Sequence, residues 1–161
     1  MATTAVTEEQ CERVLPPGDA GLDAWRRLIV ANSRLLSELD EELREAHGIT
    51  LGDYDVLVNL AAVPGRRMRM CSLAEAVLLS PSGLSRRIDR LERGGLVARE
   101  RATTDARNIE AALTPAGSRF LRKARTTHLA GVEERFMSNF STEELETLRD
   151  LLGRLTVDRF G

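Results

Sequence analysis

Ser80-Pro81-Ser82-Gly83-Leu84-Ser85-Arg86-Arg87-Ile88-Asp89-Arg90-Leu91-Glu92-Arg93-Gly94-Gly95 is the stretch on which the fold turns. Serine before proline marks a helix start. The Ser80 hydroxyl can accept a first-turn N–H, and Pro81 takes the first helical position, where its missing N–H is no loss. Gly94-Gly95 stops the helix. At about 100° per residue, Leu84, Ile88 and Leu91 share one side and must face a core. Ser82, Arg86, Asp89 and Arg90 fall opposite, and Arg87 lies on the flank, about 60° from the apolar centre. The outward face thus holds hydroxyl and guanidinium groups, which can bond base edges and phosphates. Ser82 and Gly83 are small enough to let that end of the helix approach a partner closely.

Just upstream, Ser72-Leu73-Ala74-Glu75 matches a capping box and predicts a short helix from Leu73 to Leu78 or Leu79. Two helices meeting in a tight turn, with a fresh cap between them, read as a helix-turn-helix. Before them, Arg66-Arg67-Met68-Arg69-Met70-Cys71 alternates and reads as a small strand. Downstream, residues 96–101 and 109–113 read as two short strands around a polar turn at 102–108. A hairpin after a helix-turn-helix is the outline of a winged helix. Arg107 sits at the hairpin tip, within reach of a minor groove or phosphate. Asp105, two residues earlier, can hold the Arg107 side chain; the bland alternative is an ordinary surface ion pair.

The flanks are helical. Leu22, Trp25, Leu28, Ile29, Leu35, Leu36, Leu39 and Leu43 recur at three- and four-residue steps, which predicts a long helix over 22–46 ended by Gly48. A second helix starts near Gly52 and is ended by Pro64-Gly65. Thr114-Pro115 opens another long helix carrying Phe120, Leu121, Ala124, His128, Leu129, Val132 and Phe136. Ser141 or Thr142 caps a last one with Leu145, Leu148, Leu151, Leu152 and Leu155. The expected fold is mainly α with a small β-hairpin wing: a winged helix-turn-helix flanked by long dimerisation helices. The predicted divisions are a flexible arm at 1–21, a dimerisation helix at 22–47, the winged lobe at 50–113, and C-terminal dimerisation helices at 114–161. The apolar stripes at both ends are too wide for a small lobe to cover, so two chains are expected to pair them about a two-fold axis.

The 161 residues are 42% hydrophobic and 30% charged, which fits one folded subunit and excludes general disorder. Apolar runs are far too short to span a membrane, and no secretory signal is visible, so a cytoplasmic location is expected. Two cysteines and two histidines exclude a disulfide scaffold and leave too few ligands for a zinc finger. No metal or cofactor is expected. The signature motifs of hydrolases, phosphate-binding loops and zinc proteases are missing, which argues against an enzyme. Charge is unevenly placed. Residues 1–65 hold five arginines against twelve acidic residues, whereas 66–107 hold ten arginines against five. A basic middle suggests one surface built for a polyanion.

Together these pieces resemble the MarR family of bacterial winged-helix transcriptional regulators. The matching residues are the helix pair from Leu73 to Glu92, then Gly95-Leu96-Val97, Asp105-Ala106-Arg107 and Leu113-Thr114-Pro115-Ala116-Gly117. Asn108 departs from the pattern, since many members carry a second arginine there. The resemblance implies a homodimeric, sequence-specific regulator, a ligand-responsive repressor on a pseudo-palindromic operator in double-stranded DNA. It carries the DNA-contact role onto Ser82, Ser85, Arg86 and Arg90, with Asp105 and Arg107 on the wing. It also implies an effector, small and anionic or aromatic. Trp25, Asp55, Arg87 and Arg99 occupy positions similar to those used by urate-responsive members, with Asp55 and Arg87 as a charged pair. The plainer reading makes that pair a structural salt bridge and Trp25 a core residue. Two other readings stay open: a thiol redox sensor through Cys11 or Cys71, and a winged-helix module that binds protein and not DNA.

Overall fold

The computed structural model describes residues 20–101 and 109–155. Cys11, Asp105, Arg107 and Asn108 lie outside the described residues. The chain divides into two units, residues 40–128 and the residues on either side of them. Two long helices, α1 (Ala20–His47) and α5 (Pro115–Arg135), contribute to both. No helix among the described residues is long and apolar enough to cross a membrane.

The central unit is a winged helix. Thr50 opens α2 (Leu51–Ala62) with a reciprocal cap: its hydroxyl accepts from the Asp53 amide, and the Asp53 carboxylate accepts from the Thr50 amide. Pro64 ends this helix as expected, and a short 3-10 turn, Pro64–Arg66, leads into β1 (Arg67–Arg69). Then follow α3 (Met70–Ala76), α4 (Pro81–Arg93), β2 (Val97–Arg101) and β3 (Ile109–Leu113). The strands form one antiparallel sheet in the order β1-β3-β2, with Arg69 opposite Glu110 and Arg101 opposite Ile109. The expected small strand therefore joins the hairpin as a third member. Leu43, Leu57, Leu60, Leu73, Leu84 and Ile88 are wholly buried, so helices α1 to α4 share one core.

Helix α4 follows its sequence signals. The Ser80 hydroxyl accepts from the Gly83 amide at 3.1 Å, Pro81 is in the first turn, and Leu84, Ile88 and Leu91 face the core. Helix α3 does not. It starts at Met70, with Arg69 at the cap position and no side-chain cap, not at the Ser72-to-Glu75 box. The helix grows directly out of β1, and burial of Leu73 and Ala74 sets its start. Ser72 is left exposed within the first turn. The turn into α4 is closed by Leu79 N–H on the Ala74 carbonyl at 2.9 Å, with Leu78 in the left-handed region at φ 55°.

The Leu-Thr-Pro-Ala-Gly segment after the wing is a fastener. The Thr114 hydroxyl donates to the Gly95 carbonyl at 2.7 Å and accepts from the Gly117 amide at 2.9 Å. A Cβ at Gly117 would sit 2.1 Å from the Leu96 carbonyl oxygen. Only glycine lets α5 begin that close to the root of β2. At the far side of the unit, the His47 ring meets the Thr127 hydroxyl at 2.7 Å. His128 lies on Tyr54 with ring centroids 4.5 Å apart.

The other unit comprises the first part of α1, the end of α5, a 3-10 turn at Met137–Asn139, and α6 (Thr142–Gly153). Of the two candidate caps for α6, Ser141 is the one used, in a reciprocal pair with Glu144. Arg135 joins α1 through Glu38 at 3.0 Å. Helix α6 has no buried residue, and a groove of about 830 Å³ is lined by Leu28, Leu35, Phe136, Phe140, Leu148 and Leu152 among others. Trp25 is 56% exposed and Leu36 47%.

Two outcomes follow from this packing. Gly117→Ala forces backbone apart and is expected to cost about 1–3 kcal/mol, read as a lowered Tm. Burial pushes the His128 imidazole below its ordinary value, with the Glu42 charge opposing. The folded state then binds that proton less readily than the unfolded chain. Stability is expected to fall as pH drops below about 6.5, and His128→Phe should flatten that part of the profile in pH-dependent melting.

Candidate nucleic-acid interface

The outward face of α4 is built as the helical wheel requires at its first turns. Ser82 is exposed, its Oγ 3.3 Å from that of Ser80. Arg86 is exposed and has no hydrogen-bond or ion-pair partner among the described residues. Ser85 is half-buried, and both its carbonyl and its hydroxyl accept from Arg99, at 3.2 and 3.3 Å.

Arg99 lies on β2 and is bound up with α4. Its guanidinium meets Glu92 and Asp89 at 2.6 Å each, while its own amide donates to Glu92 at 3.0 Å. The Arg99 amide and guanidinium together hold the Glu92 carboxyl below its ordinary range. One side chain therefore bridges two turns of the recognition helix to the root of the wing.

Arg90 is the first correction. The wheel places it outward, and its side chain is half exposed, but its guanidinium folds back onto Asp53. Nη2 meets Oδ1 at 2.5 Å and Nε donates to Oδ2 at 3.2 Å. A wheel gives the direction of the Cα–Cβ bond only; four rotatable bonds carry the arginine head around the helix to a buried carboxylate.

Arg87 is the second. Its direct partners are the Thr50 hydroxyl at 3.0 Å and Asp53 at 3.6 Å, not Asp55. It crosses the first turn of α2 where a Cβ at Gly52 would lie 2.1 Å from its Nη1. Asp55 feels Arg87 only at longer range. Lost hydration raises the Asp55 carboxyl, with the Arg87 charge and the Asn59 amide opposing.

Asp53 is thus the residue that the sequence reading passed over. It is the one buried charged side chain among the described residues, 1% exposed, and it accepts from the Thr50 amide and from Arg90 while facing Arg87. The Thr50-x-x-Asp53 spacing was the available signal. It identifies a helix start but not the arginines that converge on it.

Of the four proposed effector residues, three belong to the central unit: Asp55, Arg87 and Arg99. Arg87 turns to α2, Arg99 turns to Ser85, Asp89 and Glu92, and Trp25 belongs to the other unit. Cys71 is a free, exposed thiol with Ser72 Oγ at 4.0 Å. Among the described residues no group of His, Cys, Asp and Glu is placed to hold a metal.

Removing Asp53 leaves two guanidiniums without their carboxylate. Asp53→Ala is expected to cost about 2 kcal/mol, below the ~3–5 kcal/mol of a fully buried pair because Arg90 is half solvated. Arg86→Ala should melt like the parent. Thermal denaturation of the two variants side by side checks both.

Comparison with known proteins places this geometry. A model of the MarR family matches residues 47–108. The HTH-type transcriptional regulator PecS of Dickeya dadantii is 34% identical over 128 residues, covering 76% of this chain and 74% of its own length. Among solved structures, AbsC, a MarR family transcriptional regulator from Streptomyces coelicolor, is 36% identical. It superposes with a TM-score of 0.81 over 89% of this chain and 96% of its own. Sco3205 from the same organism, crystallised in complex with DNA, is 30% identical with a TM-score of 0.79, covering 89% and 91%. With its capped recognition helix, its three-stranded wing sheet and relatives alike over three quarters of its length, the chain belongs to the MarR family of winged helix-turn-helix transcriptional regulators.

Proposed function

We propose that the protein is a homodimeric repressor that acts in the cytoplasm on a pseudo-palindromic operator. The observation that carries this reading is the first half of α4. Ser82 and Arg86 stand exposed, and Arg86 is uncommitted on a helix where Asp53 holds Arg87 and Arg90 and the Asp89 carbonyl accepts from Arg93. Arg86 is the base reader, Ser82 and Ser85 bond bases or phosphate, and Arg90 offers its remaining N–H to phosphate while Asp53 holds the rest of the guanidinium. Arg107, with Asp105 beside it in sequence, supplies the wing contact. The apolar residues left exposed on α1, on α6 and just before α6 support the dimer: a second copy would cover Trp25, Leu36, Phe140 and Leu151.

A response to a small anion has its own support. Arg87 Nε is buried without an acceptor among the described residues, and its charge acts on the raised carboxyl of Asp55 at longer range. An anion or a phenol taking that N–H would compete with Asp53 for Arg87 and shift α4, coupling effector to operator. Trp25, Asp55, Arg87 and Arg99 are the residues proposed for it.

Binding to duplex DNA, measured at several salt concentrations, separates this reading from a protein-binding module. Arg86→Ala is expected to cost about 1–3 kcal/mol of operator affinity with folding intact. Arg107→Ala should weaken all sequences evenly and reduce the salt slope by about one unit per wing. A stable monomer in sedimentation at micromolar concentration, or binding indifferent to Arg86, would count against the proposal.

A further inference from the structure

Among the arginines of residues 66–101, Arg66 donates to the Ser118 hydroxyl and Arg93 to the Asp89 carbonyl, and the other seven fall into two groups. Arg67, Arg87, Arg90 and Arg99 are each engaged by a carboxylate: Arg67 meets Glu100 at 3.0 Å, and the others meet Asp53, Asp89 or Glu92. Arg69, Arg86 and Arg101 are exposed and have no such partner among the described residues. Arg86 already has a place on the recognition helix.

Successive residues of a strand face opposite ways. Val97 is 2% exposed and Arg99 binds α4, so the face of β2 that carries residues 97, 99 and 101 is the one turned to the core and the recognition helix. Arg101 is the last paired residue of β2, opposite Ile109, and that row has left the core: Arg101 is exposed and Ile109 is 50% exposed. Arg69 shares a row with Glu110 and Glu100 on the other face of the sheet.

We propose that Arg101 is a DNA-backbone contact between the recognition helix and the wing. Its guanidinium binds a phosphate, and Ile109 beside it lies against the adjoining deoxyribose. This rests on the reading of the protein as a duplex-DNA binder. The cation stands on the recognition-helix face of the wing sheet, two residues beyond the arginine that ties sheet to helix. A phosphate contact there adds affinity without base preference and fixes the helix in register.

The test titrates a mixed-sequence DNA duplex against the full chain across a salt series, with Arg101→Ala, Arg101→Lys, Arg69→Ala and Arg86→Ala as variants and melting curves as folding controls. Arg101→Ala is expected to make the log K against log salt slope shallower by about 0.9 per protomer, and Arg101→Lys to restore it. Arg69→Ala, the same charge change on the opposite face, should leave the slope near that of the parent. An unchanged slope for Arg101→Ala overturns the proposal. So does an equal loss for Arg69→Ala, which would show that only overall charge matters. Salt-dependent binding by the parent with loss in Arg86→Ala upholds the DNA reading whatever Arg101 does; no binding by the parent sinks both.

Discussion

A single carboxylate, that of Asp53, sets the geometry of the central unit. It caps α2 from within, accepting from the Thr50 amide, and receives Arg90 and Arg87 from α4. A buried carboxylate is tolerable only when its lone pairs are filled and its charge is balanced, and both conditions are met by groups on two different elements. The start of α2 and the face of α4 are therefore coupled: neither can rotate without unpairing the charge. Gly52 belongs to the same arrangement, because a side chain there would occupy the space through which Arg87 passes.

On its other flank α4 is braced by Arg99, which takes Ser85, Asp89 and Glu92 together. The recognition helix is thus held by arginine–carboxylate contacts on both sides and by Leu84, Ile88 and Leu91 beneath. Such fastening has a functional meaning. Reading a base edge demands that a side chain arrive within hydrogen-bond distance, so the helix that carries it must be positioned before DNA arrives. The carboxylates do a second thing: by engaging Arg87, Arg90 and Arg99, they leave Arg86 on α4 and Arg101 on β2 without a carboxylate among the described residues. Acidic residues within a basic segment therefore select which positive charges remain for a polyanion.

The Thr114–Gly117 fastener joins these parts to the long helix α5. Thr114 ties the root of the wing to the end of α4, and the absence of a side chain at Gly117 lets α5 start against Leu96. In the proposed dimer, the exposed apolar residues of α1 and α6 are where the second chain would sit. An anion at Arg87 would act on α4 from the flank that faces α2.

The order of elements was legible in the residues because it depends on local chemistry. Ser80-Pro81 starts α4 through a first-turn hydroxyl and a fixed φ. Three apolar residues at helical spacing identify its buried side, and Thr114-Pro115 begins α5; each signal acts within one or two turns of chain. The start of α3 was not legible. A capping box at Ser72 competes with burial of Leu73 and Ala74 against the core, and burial across elements outweighs a local cap of about 1 kcal/mol. The exposed positions of Ser82 and Arg86 also followed from periodicity alone. The partners of Arg87, Arg90 and Arg99 did not, because an arginine head sits several bonds from the backbone that a helical wheel describes. Where it ends depends on which carboxylate the tertiary fold brings near. Asp53 lies thirty-seven residues from Arg90 along the chain. Local spacing determined that the helix has an outward face; only the folded arrangement of α2 against α4 decided which of its arginines that face retains.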